Sequence, residues 1–87
     1  MSIRVEFFGI PRRRAGVAAI DVEADTLGEL IRKTGRRLPE LADECFDGDA
    51  LKPGFVSSIN AVRFTTDPTE PLANEDHVMI LSADAGG

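Results

Sequence analysis

Tryptophan and tyrosine are absent from the chain, and cysteine and histidine occur once each, as Cys45 and His77. A single cysteine excludes an intramolecular disulfide framework and any zinc or iron–sulfur site built from cysteine alone. Nucleophilic catalysis by Cys45 requires the fold to bring His77 beside it, because a nucleophile needs a positioned base. A lone cysteine is more often a small buried hydrophobe. Long apolar runs are missing too: runs such as Val78-Met79-Ile80-Leu81 stop at four residues, far short of the ~20 that cross a bilayer. The segment Met1-Ser2-Ile3-Arg4-Val5-Glu6 carries an acid and no apolar core, so no secretory signal is expected and a cytoplasmic location is. The glycines at 9, 16, 28, 35, 48 and 54 match neither a P-loop nor a dinucleotide fingerprint. Asp43, Glu44, Asp47 and Asp49 miss the spacing of a calcium loop, so no metal site is expected.

What is present is the composition of an ordinary soluble globule, 43% hydrophobic and 29% charged. Eighty-seven residues suit one domain, expected over 1–87 with a flexible tail at 82–87. The net charge of -5 conceals a split. Residues 1–37 hold eight bases against five acids (+3), and residues 38–87 hold two bases against ten acids (-8). Nucleic acid is not an expected partner: affinity there rests on cations meeting phosphates and on aromatics stacking on bases, and neither is supplied. The blocks Arg12-Arg13-Arg14 and Arg36-Arg37 read as a solvated turn and a helix end, where cations oppose the dipole. The acidic second half favours attraction to a basic protein.

Periodicity supplies the elements. Ile3, Val5 and Phe7 alternate with Arg4, Glu6 and Phe8, as in a half-buried strand. Gly9 to Gly16 reads as a turn, and Val17–Glu23 as an antiparallel second strand. Leu27, Leu30, Ile31, Thr34 and Leu38 then form one helical stripe. Thr26 and Glu29 have the spacing of a capping box, and Pro39 ends the helix. Beyond it the pattern weakens to turns at Asp47-Gly48-Asp49 and Pro53-Gly54, with Leu41, Phe46 and Leu51 available to plug the core. Phe55–Asn60 and Val62–Thr65 form a hairpin with Asn60-Ala61 at its tip, and His77–Ser82 is a last strand, apolar on both faces. The sum is an α+β domain with one main helix across a mixed sheet.

The remaining two glycines are Gly86-Gly87, which follow Ser82-Ala83-Asp84-Ala85 directly after the apolar strand. At glycine usage of ~7%, chance places such a pair there about once in two hundred sequences. Fraying or a cloning scar are the bland explanations. The functional one is steric: an end that threads a narrow channel and presents its own carboxyl needs no Cβ near the reacting carbon. A carboxylate is inert until it is activated, for example as an acyl-adenylate.

These features resemble the MoaD/ThiS sulfur-carrier family of ubiquitin-like β-grasp proteins, and most of all the small subunit of molybdopterin synthase. The resemblance covers the whole element order. It rests on Val5-Glu6-Phe7-Phe8, on Pro71-Leu72-Ala73-Asn74-Glu75-Asp76-His77-Val78, and on Gly86-Gly87. Glu75 stands where the family usually has glycine, His77 where an acid is common, and Ser82-Ala83 replace the usual prolines. The resemblance implies a carrier that is not an enzyme by itself. An ATP- and magnesium-dependent adenylating enzyme of the ubiquitin-activating type would adenylate Gly87, and a sulfur donor protein would convert it to a thiocarboxylate. Sulfur would then pass to molybdopterin in the large synthase subunit, with Gly86, Ala85 and Asp84 threading its channel and Phe8, Met79 and Leu81 forming the docking patch. The alternatives are a ThiS-like carrier for thiamin thiazole, a ubiquitin-like protein modifier, and an interaction module whose glycines are inert.

Overall fold

The computed structural model describes residues 1–83. The first strand, β1 (Ser2–Phe7), buries Ile3, Val5 and Phe7 on one face and leaves Arg4 and Glu6 on the other, as the alternation requires. It pairs antiparallel with β2 (Ala19–Glu23) in the register Val5↔Ile20. Between them lies a short helix, α1 (Ile10–Ala15), where the glycines at either end suggested only a turn. Both flanking glycines do have positive φ, +64° at Gly9 and +76° at Gly16. They bracket a helix because Pro11 sits in its first turn, where no amide donor is needed, and Gly16 adopts the left-handed cap that ends it. Proline just inside the start and glycine just past the end is a helix signature, and Pro11 is itself buried.

The main helix, α2 (Leu27–Arg37), buries Leu27, Leu30, Ile31 and Thr34, and leaves Leu38 half-buried beyond its end. The capping box forms with a one-residue offset. Glu29 donates its amide to Thr26 Oγ1 at 3.2 Å, and its carboxylate accepts from the Asp25 amide at 2.7 Å. Pro39 stops α2 and also starts α3 (Pro39–Cys45), which the weak pattern there did not show. Leu38 leaves the helical region before the proline, with φ -130° and ψ 74°, and serves both helices as their junction. Gly35 permits the turn to be tight, since a Cβ there would lie 3.2 Å from Ala42 Cβ. Two short strands, β3 (Phe46–Asp47) and β4 (Ala50–Leu51), form a small hairpin around Gly48. Leu41 and Phe46 plug the core as expected, while Leu51 is half-buried at its margin.

The sheet is completed by β5 (Phe55–Ile59), β6 (Arg63–Thr65) and β7 (His77–Ser82), giving the order β2-β1-β7-β5-β6. β7 lies between β1, to which it is parallel, and β5, to which it is antiparallel, so the sheet is mixed. This is the ubiquitin-like β-grasp fold: α2 closes one face over Ile3, Val5, Phe7, Val78 and Ile80, and the other face stays open. Full burial of each such side chain stabilises the fold by roughly 1.5–3 kcal/mol. Ser82, which the expected strand His77–Ser82 and the expected tail 82–87 share, is the last residue of β7, paired with Phe55. Ala83 is held by its amide, which donates to Gly54 O at 2.7 Å.

The turn into β7 carries strain. Glu75 has φ +69°, the left-handed region that favours glycine, at the position where the resembling family has one. Its amide donates to Ser2 O at 2.8 Å, which ties the turn to β1 and holds the conformation. Glu75→Gly is expected to raise stability by about 0.5–1 kcal/mol, the strain relieved exceeding the added chain entropy. Glu75→Val is expected to lower it, and urea unfolding of the three proteins checks the order.

Candidate functional site

The open face of the sheet is organised in three rows across the strands. The first row, Asp21, Arg4 and His77, is polar: Arg4 and Asp21 approach to 3.7 Å. The second runs Ala19, Glu6, Met79, Ser58 and Phe64, with Ser58 buried. The third joins Leu81 to Val56, with Phe8 following β1 on the same side and donating its amide to Ile80 O. It is apolar. A groove of about 360 Å³ lies along it, lined by Val56, Phe64, Leu81, Ser82 and Ala83. The face therefore turns from charged to apolar toward the end where β7 leaves the sheet.

Alternation along β7 decides which residues stand here. Val78 and Ile80 are buried beneath α2, so Met79 and Leu81 point to the open face, half-buried by their neighbours. Phe8 is exposed at 39%. Sequence reasoning missed Phe64, exposed at 65%. With Asn60-Ala61 as a two-residue tip, Phe64 would pair with Ser57 and point inward. Both tip residues do have positive φ, and Val62 donates to Ile59 O at 3.1 Å. Val62 is nevertheless an extra residue, because the strands close on Ile59↔Arg63 and Phe64 faces Ser58. One inserted residue sends every later side chain to the other face. Val62, the inserted residue, is 86% exposed.

Cys45 and His77 are not brought together. Cys45 is fully buried in the core, and burial, with a smaller push from Glu44, raises its thiol to about 11. A protonated thiol is a poor nucleophile. His77 stands on the open face, its Nε2 2.8 Å from Glu6 Oε1. Among the described residues no cluster of three or more His, Cys, Asp or Glu has the geometry to hold a metal ion, and no helix is long and apolar enough to cross a membrane. Gly87, Gly86, Ala85 and Asp84 lie outside the described residues.

No family model matches the sequence, and no curated protein matches it significantly. Solved structures share its fold. SAMP1 from Haloferax volcanii superposes with a TM-score of 0.83 at 21% identity over 100% of both chains. A chain of the Amycolatopsis orientalis BexX/CysO complex gives 0.79 at 19% identity, covering 98% of this chain and 99% of that one. A chain from the complex of subunits 1 and 2 of the Helicobacter pylori molybdopterin-converting factor gives 0.68 at 21% identity over 100% of both. These neighbours carry the β-grasp fold that the resemblance implied, and two of them were solved in complex with another protein.

The start of β7, and with it the placing of the open face, is fastened by Asp76. Its carboxylate accepts from the Ala73 amide at 2.8 Å and from Asn60 Nδ2 at 2.9 Å, and Asn60 Oδ1 in turn accepts from the His77 amide at 2.8 Å. The Ala73 amide first, and then Asn60, hold the Asp76 carboxyl below the usual carboxylate range. A lowered folded-state value means stability that is fully present above the unfolded value of about 4 and lost as pH falls through the folded one. Asp76→Ala is expected to cost about 1 kcal/mol at neutral pH, discounted for its exposure to solvent. The gap to wild type should close in acid, as urea unfolding across a pH series reports; an unchanging gap would assign the loss to something other than the charge.

Proposed function

We propose that the chain is a sulfur carrier of the MoaD/ThiS kind, acting in the cytoplasm through the carboxyl of Gly87 and supplying no catalytic residue of its own. The observation that carries this reading is the apolar end of the open face. It leads to Ala83, which the Gly54 carbonyl anchors at the base of the tail. A partner that docks on Phe8, Met79, Leu81 and Phe64 receives the last four residues at its own active site. Small residues at 85–87 suit passage through a narrow channel.

The chemistry follows from the inertness of a carboxylate. An adenylating enzyme directs the Gly87 carboxylate onto the α-phosphorus of ATP, with magnesium holding the phosphates, and pyrophosphate leaves. Hydrosulfide released by a donor protein then attacks the acyl carbon, AMP departs, and the terminus is left as a thiocarboxylate. For the acceptor we favour the molybdopterin precursor bound to a large synthase subunit, a reading supported by the fold shared with the Helicobacter pylori complex. The fold shared with SAMP1, also called small archaeal modifier protein 1, supports a second reading in which a lysine amine takes the place of sulfur.

Intact-mass analysis of the protein purified from its native cells tests the proposal. Exchange of one oxygen for sulfur, confined to the C-terminal peptide and lost on deletion of Gly87, is expected. Gly-Gly remnants on lysines of other proteins would select the modifier reading. Neither product under sulfur-replete conditions would sink both. The docking face is tested separately by Met79→Asp, which is expected to lower the thiocarboxylated fraction at least tenfold, as loss of a contact at an interface centre does. Circular dichroism and melting should remain close to wild type; a variant that unfolds would show that Met79 belongs to the core instead.

A further inference from the structure

Seven of the ten basic side chains have a partner among the described residues. Arg4, Arg14, Arg32 and Arg63 meet carboxylates, while Lys33, Arg37 and Lys52 donate to backbone carbonyls. Arg12, Arg13 and Arg36 have neither. For Arg36, at the C-terminus of α2, the helix dipole is reason enough. Arg12 and Arg13 stand on a six-residue helix, too short for that account. Both are exposed, while Pro11 beside them is buried. Arg14, two-fifths exposed, shows what a guanidinium of this helix engages when one is near: the Asp43 and Glu44 carboxylates of α3, at 3.9 and 3.6 Å.

Topology gives the pair its place. β1 and β7 are parallel, with Phe7 level with Ile80, so both strands finish at the same end of the sheet. The chain leaving β1 enters α1 after Phe8 and Gly9, and the chain leaving β7 becomes the tail after Ala83. α1 also packs against β7. The helix that carries these two guanidiniums, unpaired among the described residues, therefore stands at the exit of the tail, near the apolar row that ends in Leu81.

We infer that Arg12 and Arg13 form a docking surface for an acidic rim on the partner protein that takes up the tail. This rests on the reading of Gly87 as the reacting residue. Two cations beside the exit orient the tail toward a carboxylate-lined mouth and raise the encounter rate, while the apolar row supplies the contact area. A nucleic acid is disfavoured, because two unpaired cations neutralise too few phosphates to hold one.

The test measures how fast the purified protein gains its thiocarboxylate in a desalted extract of its native cells supplied with ATP and sulfide. The Arg12→Glu/Arg13→Glu variant should react about tenfold more slowly than wild type and lose most of the salt dependence that wild type shows. Arg32→Glu/Arg36→Glu, an equal charge change on α2, should react at close to the wild-type rate, and melting temperatures should confirm that both variants are folded. Equal rates for wild type and the α1 variant would overturn the inference and leave the Gly87 reading standing. No conversion of wild type would overturn both. Arginine Nε–H resonances of the wild-type protein provide a second readout. A hexaglutamate peptide should shift those of Arg12 and Arg13 saturably, in a salt-sensitive manner. Tighter saturation by pyrophosphate would reassign the surface to a phosphate, and shifts caused merely by deleting residues 84–87 would reassign it to the chain's own tail.

Discussion

The parallel pairing of β1 with β7 is the constraint on which the rest depends. It inserts the last strand of the chain between the first strand and β5, where it is hydrogen-bonded on both sides and buried beneath α2 through Val78 and Ile80. A C-terminal strand at a sheet edge frays easily; one in the middle opens only when the sheet does. The tail thus starts from one of the most firmly held parts of the molecule. The same pairing brings Phe8 and α1 to the end of the sheet from which the tail departs.

The open face then follows from strand alternation and one inserted residue. With Val78 and Ile80 committed to the core, Met79 and Leu81 have nowhere to point but outward. Val62, outside the strand register, turns Phe64 to join them. The charged side chains are gathered at the opposite end, where Arg4 meets Asp21 and His77 meets Glu6. Apolar surface in water is tolerated when it is small, and here it is bounded by charge on one side and by Ser82 and Ala83 on the other.

Much of this was legible in the sequence, and the failures have physical causes. The α2 stripe could be read residue by residue because an amphipathic period and a capping box reinforce one another over eleven positions. β1 could be read from its strict alternation, and β7 from its apolar run. α1 could not: its six residues are fewer than two turns, and the glycines that bracket it are equally the residues of a loop. The face of Phe64 was illegible because register depends on whether Val62 is counted in the turn or in the strand, and one position reverses the outcome. Glu75 shows the converse case. Its departure from the usual glycine was visible in the sequence, but that it sits at φ +69° emerges only from the fold.

A carrier of an activated acyl group has to keep that group from its own side chains, and the cysteine, the histidine and both lysines are engaged. Cys45 is buried and its thiol stays protonated up to about pH 11. The His77 ring is bonded to Glu6. The two lysines, Lys33 and Lys52, direct their ammonium groups to the carbonyls of Glu23 and Asp43, at 2.8 and 2.7 Å. Eight of the ten bases are arginine, whose guanidinium stays protonated and does not attack acyl carbon. On the reading that Gly87 is activated, the scarcity of histidine, cysteine and lysine becomes a functional property. An adenylate at the end of this chain meets few competing groups in its own fold, and survives to meet the sulfur that a partner delivers.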